Sequence, residues 1–568
     1  MTTSRIENHR LLVNGRPQDF CAYMTYFTEN ACYDDFSAAG YSLYSVCAYF
    51  SALPINESSG FIPCRTNGIF DVEGHLDASE FLADVHALLK ACPDALFFPR
   101  IHISMPRWWL RAHPDDVVQT ATTPEGREAL YSPAFRRDAA QLLTEFIRFV
   151  EQSDFADHVI GYQLSGGNTQ EWFPYDLRGG YSAVAETAFS EWQERCGQTS
   201  VAISDDFPQT EAELRFCSES IAETIQMLAK TAKTQLNHQK IIGTFYGYSL
   251  EVADPKWGTH ALAALLDCPD LDFFCSPISY RHGRALGTDW VDMVPKASVL
   301  AHGKLFVTEA DIRTHRSRFP DESRPEIRCR VPYREPIWKG GADAADDILH
   351  LRRAFAKCLC ESPAFWWFDM WGGWYHDADV MRQMAAFRQM LRTPPGSWDE
   401  RRCKAAVFLD ETESARTGAF SASEDCRQLA ELGMPYDLYL VDNLARVGRE
   451  YGLLIAFGAT NSASAQAVRT YAQRVGLPAI CGCHFSLEEL ATALEETDVH
   501  RICRSGDLLC FGNGFLALHA CSGGVKTLVF PEPVRLTPLD GEAPAYSGQT
   551  VSFALHPYHT AIFAIDHC

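Results

Sequence analysis

Short apolar runs that alternate with amphipathic segments dominate the first two thirds of the chain. Such runs, rich in β-branched and aromatic residues, are typical of strands buried on both faces of a parallel sheet. Helical patterns separate them, as at residues 79–91, where Phe81, Val85 and Leu88 share one face. The predicted strands cover residues 20–27, 42–50, 95–104, 159–165, 240–246, 272–279, 304–309 and 363–369. Eight strands separated by helices predict an α/β fold, a closed (β/α)8 TIM barrel.

Two further domains are predicted after the barrel. Pro394-Pro395-Gly396 interrupts the pattern, and apolar runs then alternate with helical segments again, which predicts a flavodoxin-like α/β domain. Its first turn, residues 410–414, lacks the glycine fingerprint that holds a dinucleotide pyrophosphate. Short β segments with glycine turns then predict a small antiparallel β domain. The predicted domains are residues 1–397, which include a hairpin at Asn14-Gly15, then 398–498 and 499–568.

Composition and charge narrow the classes of partner. The formal net charge of -23 argues against binding to nucleic-acid phosphates, which requires a concentrated basic surface. No run approaches the roughly 18 apolar residues of a membrane span, and the amino terminus has no apolar signal-peptide core. We therefore expect a cytoplasmic protein. The twenty cysteines lie scattered through apolar segments, which predicts reduced thiols.

A metal centre is not favoured by the sequence. Cys481, Cys483 and His484 are residue types that bind zinc, but no second cluster lies at finger-like spacing. No HExxH-like motif or His/Asp cluster supports a metal-dependent isomerase or hydrolase on the same barrel. We predict that the protein uses neither a metal nor a cofactor.

Two glutamates stand where barrel strands end. Glu309 closes the apolar run of the seventh predicted strand, and Glu171 follows the fourth. Since the carboxyl ends of all barrel strands meet on one face, both side chains are expected at one central pocket. A glycosidase that retains the anomeric configuration needs two carboxyl groups roughly 5 Å apart, one as acid and base and one as nucleophile. Glu171 and Glu309 are therefore the candidate catalytic residues.

Polar and aromatic residues at the same strand ends are candidate sugar ligands, because indole faces suit the apolar faces of pyranose rings. Ordinary core packing is the alternative for the tryptophans, above all for one of the adjacent pair Trp366 and Trp367. Tyr280 can hold a nucleophile ionised by a hydrogen bond, and Arg100 can do so by charge. The candidates are Arg100, His102, Asn168, Gln170, Trp172, Tyr246, Tyr280, His282, Trp367 and Trp371.

A long segment rich in proline and arginine, residues 312–341, separates the last two predicted strands. Connections of this length inside a compact domain are usually functional. We expect it to form a lid or rim over the pocket.

This layout resembles the clan of retaining β/α-barrel glycosidases with the acid/base after the fourth strand and the nucleophile at the seventh. The chain is most similar to the family 42 β-galactosidases, whose barrel is followed by a flavodoxin-like trimerisation domain and a small β domain. The resemblance implies that Glu171 is the acid/base, that Glu309 is the nucleophile and that the protein is a homotrimer. One departure is Gln170, which stands where the clan usually has asparagine.

The resemblance implies a retaining, exo-acting β-glycosidase that hydrolyses β-galactosides of small oligosaccharides. A β-mannosidase of the same mechanism is the alternative, because Gln170 changes how the sugar 2-hydroxyl is held. A catalytically silent carbohydrate-binding barrel protein is an alternative of another class.

Overall fold

A computed structural model gives the fold of the chain. It describes residues 2–56, 60–61, 65–120, 122–175, 181–204, 206–252, 254–324, 328–329, 335–417, 420–447, 450–458, 462–482, 484–541 and 544–568.

Eight parallel strands close into a barrel, as the sequence predicts. Each strand pairs with its neighbours in chain order, and the ring closes where the eighth pairs with the first. Barrel strands 1 to 8 are Cys21–Met24, Leu43–Tyr49, Leu96–Ile103, Gly161–Gly166, Ile241–Phe245, Phe273–Pro277, Leu305–Ala310 and Phe365–Phe368. The (β/α)8 fold class is confirmed.

Helices cover the barrel because their apolar stripes need a partner surface. The helix Pro133–Glu151 begins where Ser132 accepts a hydrogen bond from the backbone of Phe135 and where proline fixes the first turn. Its buried stripe includes Leu143 and Phe146. The α-helices of this part are Tyr33–Ala38, Ser79–Ala91, Arg107–Ala112, Pro133–Glu151, Ala185–Arg195, Glu211–Gln235, Leu262–Leu266, Lys296–Ala301, Pro320–Ser323, Ala344–Glu361 and Ala378–Met390.

An aromatic core fills the barrel. The ring centroid of Phe98 lies 5.5 Å from Phe20, 6.2 Å from Phe273 and 6.1 Å from Trp366. Gly243 leaves the space for Phe273, since a Cβ atom there would lie 2.1 Å from its ring. This packed layer fixes the inward-facing Trp366, whose indole N–H is directed to the carboxyl end of strand 7.

Short antiparallel pairings flank the barrel. The sheet of Ser4–Glu7, Arg10–Val13 and Arg16–Gln18 contains the predicted hairpin, with Asn14 and Gly15 at positive φ of 51° and 76°. Two-residue strands pair Gly60–Phe61 with Arg328–Cys329 and Val117–Val118 with Arg127–Glu128.

A four-stranded parallel sheet follows the barrel. In chain order its strands are Ala405–Leu409, Tyr436–Leu440, Leu453–Phe457 and Ala479–Gly482, with the second strand at one edge and the fourth at the other. Its helices are Glu411–Thr417, Phe420–Glu431, Ala463–Val475 and Leu487–Glu496. Glu411 ties this unit to the barrel, because its carboxylate accepts hydrogen bonds from the backbone of Leu262 and Ala263.

The chain ends in a five-stranded antiparallel sheet. Its strands are Leu508–Gly512, Phe515–His519, Gly524–Pro538, Tyr546–Leu555 and Thr560–His567. Buried residues alternate with exposed ones along Gly524–Pro538, so one face of this sheet packs on a core and the other meets solvent. Among the described residues, no helix combines the length and apolar character that crossing a membrane requires.

Candidate active site

Glu309 lies at the carboxyl end of strand 7 with 4% of its surface exposed. Its Oε2 accepts a hydrogen bond of 3.2 Å from Nη1 of Arg100 and one of 3.1 Å from Nε1 of Trp366. Trp366 stands beside Glu309 in the register between strands 7 and 8, which explains how the indole reaches the carboxylate. One oxygen of Glu309 is thus fixed by a charge and an indole.

Arg100 supplies that charge from strand 3. It is 2% exposed, and its guanidinium packs over the rings of Phe245 at 4.4 Å and Tyr26 at 5.4 Å. Aromatic faces hold a guanidinium in one orientation while leaving its N–H groups to donate. This geometry agrees with the prediction that the charge of Arg100 acts on the candidate nucleophile Glu309.

Burial raises the pKa of Glu309 from 4.5 to about 8. Arg100 opposes this effect, the negative charges of Asp311 and Glu171 add to it, and the indole of Trp366 opposes it weakly. The environment therefore favours a protonated Glu309 at neutral pH. The influence of Glu171 also shows that the two glutamates interact electrostatically.

Glu171 lies on a loop with unusual backbone conformations. Thr169, Gln170 and Trp172 have φ values of 58°, 67° and 64°, a region that residues other than glycine rarely occupy. Backbone hydrogen bonds of 2.8 Å from Asn168 to Phe173 and from Trp172 to Gly166 close the loop. Strained backbone of this kind persists where the surrounding structure over-determines it, and it clusters at functional sites.

Trp172 anchors this loop to the barrel. Its indole is fully buried, and Nε1 donates to Oγ1 of Thr244 on strand 5 at 2.9 Å. A Cβ atom at Gly166 would lie 2.7 Å from the indole, so the ring needs glycine beneath it. Trp172 therefore holds Glu171 in position from below, whereas the sequence indicated a sugar ligand.

The half-buried carboxyl group of Glu171 is fixed by two hydroxyl groups. Tyr248 donates to Oε1 at 2.8 Å and Thr169 donates to Oε2 at 2.6 Å. Burial raises the pKa of Glu171, and the bonds from Thr169 and Tyr248 oppose that rise. A carboxyl group with a raised pKa is suited to donate a proton near neutral pH.

A charged cluster that the sequence analysis missed lies next to Glu309. Asp311 is fully buried, and its Oδ2 accepts hydrogen bonds from the hydroxyl of Tyr280 at 2.8 Å and from Nη1 of Arg313 at 2.7 Å. Its Oδ1 pairs with Arg284 at 2.5 Å. Tyr280 thus contacts Asp311, whereas the sequence suggested a contact with the nucleophile. The sequence does carry a signal for Asp311, because it lies two residues after Glu309 and residues at that spacing point to the same side of a strand.

Three further candidates are buried close to the loop of Glu171. His102 is fully buried, its Nε2 lies 3.4 Å from the carbonyl oxygen of Gly167, and burial lowers its pKa to about 3, so the ring is neutral. Asn168 and Gln170 are also fully buried. In the described part of the chain, the amide of Gln170 has no hydrogen-bond partner. An unpaired buried amide beside a catalytic candidate is a group that a substrate hydroxyl can satisfy.

The structure places three other candidates away from the two glutamates. Tyr246 donates to the backbone carbonyls of Ser218 and Gly258. Trp367 points outward from the barrel, donates to the hydroxyl of Tyr41 and stacks on a helix. His282 lies 3.4 Å from Glu424 on the α/β unit. Their predicted contact with a sugar does not fit these positions.

The last candidate, Trp371, follows strand 8 and is 6% exposed, with its ring centroid 5.2 Å from that of Phe27. For metals, no group of three or more His, Cys, Asp or Glu side chains in the described ranges is arranged to hold an ion. Cys483 of the Cys481, Cys483 and His484 cluster lies outside the described residues.

Comparisons with known proteins agree with this architecture. No protein-family model matches the chain, and no curated protein matches it. Solved structures do match. A β-galactosidase from Rahnella sp. R3 is 12% identical with a TM-score of 0.61, over 96% of this chain and 98% of that one. Gan42B, a GH42 β-galactosidase, is 8% identical with a TM-score of 0.62, over 99% of both chains.

A third match is a GH42 exo-carrageenase from Bacteroides ovatus, 10% identical with a TM-score of 0.61, over 99% of this chain and 84% of that one. At these identities the likeness concerns the fold. The resemblance predicted from the sequence is confirmed at that level: the chain has the fold of GH42 β-galactosidases, a TIM barrel followed by additional domains.

Proposed function

We propose that this protein is a retaining, exo-acting β-glycosidase that hydrolyses β-galactosides of small oligosaccharides. The observation that carries the proposal is the pair of carboxyl groups, Glu171 after strand 4 and Glu309 on strand 7. Each is held by its own donors, and the charge of Glu171 raises the pKa of Glu309. The positive φ angles around Glu171 support a functional role for this loop, since strained backbone clusters at active sites and ligand clamps.

In the first step the carboxylate of Glu309 attacks the anomeric carbon while Glu171 protonates the leaving oxygen. Arg100 and Trp366 hold one oxygen of Glu309, which leaves the other free to form the glycosyl ester. In the second step Glu171, now ionised, removes a proton from water, and the water releases the sugar with its configuration retained. Tyr248 and Thr169 stabilise that ionised state.

The charge of Glu171 raises the pKa of Glu309, so the protonation states of the two groups are linked. Reaction requires an ionised Glu309 and a protonated Glu171, although burial favours a protonated Glu309. A substrate whose leaving oxygen accepts a hydrogen bond from Glu171 favours the reactive arrangement. Arg100 supports the same arrangement from the side of Glu309.

The galactoside assignment is supported by the names of two matched structures, and the exo mode by the third, which is named an exo-carrageenase. The β-mannosidase alternative is favoured by Gln170. Its side chain is longer than that of the usual asparagine, and its amide has no hydrogen-bond partner among the described residues. A screen of aryl β-galactoside, mannoside, glucoside and fucoside decides between them.

Replacement of each glutamate tests the mechanism. Glu309→Ala should lose nearly all turnover on every substrate, because no glycosyl ester forms. Glu171→Ala should keep the first step with activated aryl glycosides and accumulate the ester. Added azide needs no base, so Glu171→Ala should give the β-azide, whereas Glu309→Ala should give the α-azide. The exposed Glu145→Ala is the matched control and should behave as wild type. Reversed products would exchange the two roles.

We further propose a cytoplasmic homotrimer whose subunits meet through the α/β unit at residues 398–498. The resemblance to family 42 β-galactosidases, in which the corresponding unit is a trimerisation domain, supports this proposal. Light scattering at micromolar concentration tests this proposal, and a monomer mass would refute it.

A further inference from the structure

The loop after strand 7 carries an unusual density of arginine. Residues 312–319 read Ile-Arg-Thr-His-Arg-Ser-Arg-Phe, so Arg313, Arg316 and Arg318 follow Glu309 within nine positions. The chain as a whole has 73 acidic residues against 50 lysines and arginines. A basic segment directly beside the proposed nucleophile is therefore a local exception that the hydrolysis of a neutral sugar does not explain.

Arg313 connects this loop to the catalytic pair. Its Nη1 donates to Asp311, whose charge acts on Glu309, and its guanidinium lies 4.5 Å from the ring centroid of Trp338 and 5.1 Å from that of Trp374. Arg313 is 5% exposed, and its Nη2 has no hydrogen-bond partner in the described part of the chain. The buried guanidinium of Arg313, which lies near two indole rings, thus has one N–H donor group available for a ligand.

Arg316 and Arg318 line a cleft of about 580 Å³ at the carboxyl end of the barrel. The loop after strand 1 contributes Asn30 and Cys32 to this cleft, and the loop after strand 8 contributes Gly372. The volume falls within the roughly 300–1,000 Å³ of small-ligand sites. Its position beside strands 1, 7 and 8 suits the part of a saccharide that extends beyond the hydrolysed unit.

Three acidic groups near this cleft have basic partners. Glu29 pairs with Arg324 at 2.7 Å, Asp35 with His376 at 2.7 Å and Asp347 with His315 at 2.6 Å. In contrast, the exposed guanidinium groups of Arg316 and Arg318 have neither an ion pair nor a hydrogen bond within the described structure. The two arginines therefore present positive charge to this cleft without a direct ion pair, in an otherwise acidic protein.

We propose that this cleft binds an anionic group, a sulfate ester or a carboxylate, on the saccharide that adjoins the hydrolysed sugar. The inference rests on the proposed glycosidase function and makes acidic oligosaccharides the preferred substrates. Guanidinium groups suit this role because their planar N–H forks match the oxygens of both anions. Sulfate and carboxylate share this chemistry, and the experiment separates them.

The test compares three disaccharides with the same β-galactosyl unit. In one the second sugar is neutral, in another it carries a sulfate ester, and in the third it carries a carboxylate. The double variant Arg316→Gln/Arg318→Gln should lower kcat/KM about five- to tenfold on the charged substrate that the protein prefers, the size of two partly exposed ion pairs. It should change kcat/KM less than about twofold on the neutral one, since it removes no contact to a neutral sugar.

Arg148→Gln is the matched control, because Arg148 is exposed on the helix Pro133–Glu151 and forms no ion pair with the residues that the structure describes. This control should leave all three rates unchanged. The charged-substrate advantage of the wild-type protein should also shrink as salt is added. An equal loss of rate on all three substrates, or no loss on any, would overturn the proposal.

Calorimetry distinguishes failure of this inference from failure of the proposed function. Turnover of all three disaccharides without an arginine-dependent preference would refute the anionic subsite and leave the glycosidase assignment intact. Binding of an acidic disaccharide that is lost in the double variant, without turnover of any substrate, would refute the glycosidase assignment and retain the subsite.

Discussion

Glu309→Gln tests whether the buried carboxyl group at the end of strand 7 lowers the free energy of unfolding of the protein. Glutamine has nearly the shape of a protonated glutamate but cannot ionise. Burial raises the pKa of Glu309 from 4.5 to about 8, so its favourable contribution to the folded state is present below pH 4.5 and is lost as pH rises toward 8. The variant should therefore be more stable than wild type at neutral pH.

The size of the gain follows from the shift in pKa. With 1.36 kcal/mol for each pKa unit, the raised pKa destabilises the folded protein by at most about 3 kcal/mol at pH 7 and about 1 kcal/mol at pH 5, because the unfolded chain ionises Glu309 while the folded chain keeps its proton. Arg100 contacts Glu309 and limits this cost, and that effect is already contained in the pKa. For a barrel of this size the gain corresponds to roughly 3–6 °C in Tm at pH 7.

Thermal unfolding of wild type and Glu309→Gln at pH 5, 6, 7 and 8 measures this difference. The account predicts a Tm difference that grows with pH while activity is lost. Glu145→Gln, a change at an exposed site, should show no difference at any pH. A difference that stays constant, or falls as pH rises, would refute the reasoning.

The remaining predictions concern the partners of two other glutamates. Tyr248→Phe removes a hydrogen bond that lowers the pKa of Glu171, so the alkaline limb of the kcat/KM profile should move to higher pH; an unchanged profile would contradict this role. Glu361 has a pKa lowered to about 2, with burial opposed by Lys296 and Lys357, so it stabilises the fold above pH 4.5 and less as pH falls toward 2. Glu361→Gln should cost roughly 3 kcal/mol at pH 7 in denaturant unfolding and less at pH 3; a cost independent of pH would oppose the ion-pair account.

Much of the barrel could be predicted because its elements have strong local patterns. The helix Ser79–Ala91 occurs at the predicted residues, since it has an uninterrupted apolar stripe. The strand Ala479–Gly482 at the edge of the α/β sheet was not predicted. It is short and partly exposed, so it lacks the continuous apolar run that marks a buried strand.

The site was predictable where a residue ends a strand, and not where contacts depend on register. Glu309 and Arg100 meet as their strand positions indicate. The sequence predicts Trp367 as a sugar ligand, yet Trp366 faces the barrel interior, because neighbouring residues on a strand point to opposite sides. Tyr248 contacts Glu171 from a loop after strand 5, a long-range contact that no local pattern encodes.

Trapping of the covalent intermediate tests the central claim most directly. A 2-deoxy-2-fluoro-β-galactosyl fluoride slows both chemical steps, but its good leaving group speeds the first, so the glycosyl ester accumulates on the nucleophile. Mass spectrometry of a digest should find one fluorosugar on the peptide that contains Glu309, and no label in Glu309→Gln. A label on Glu171 or any other residue, or wild-type turnover without a label, would contradict the account.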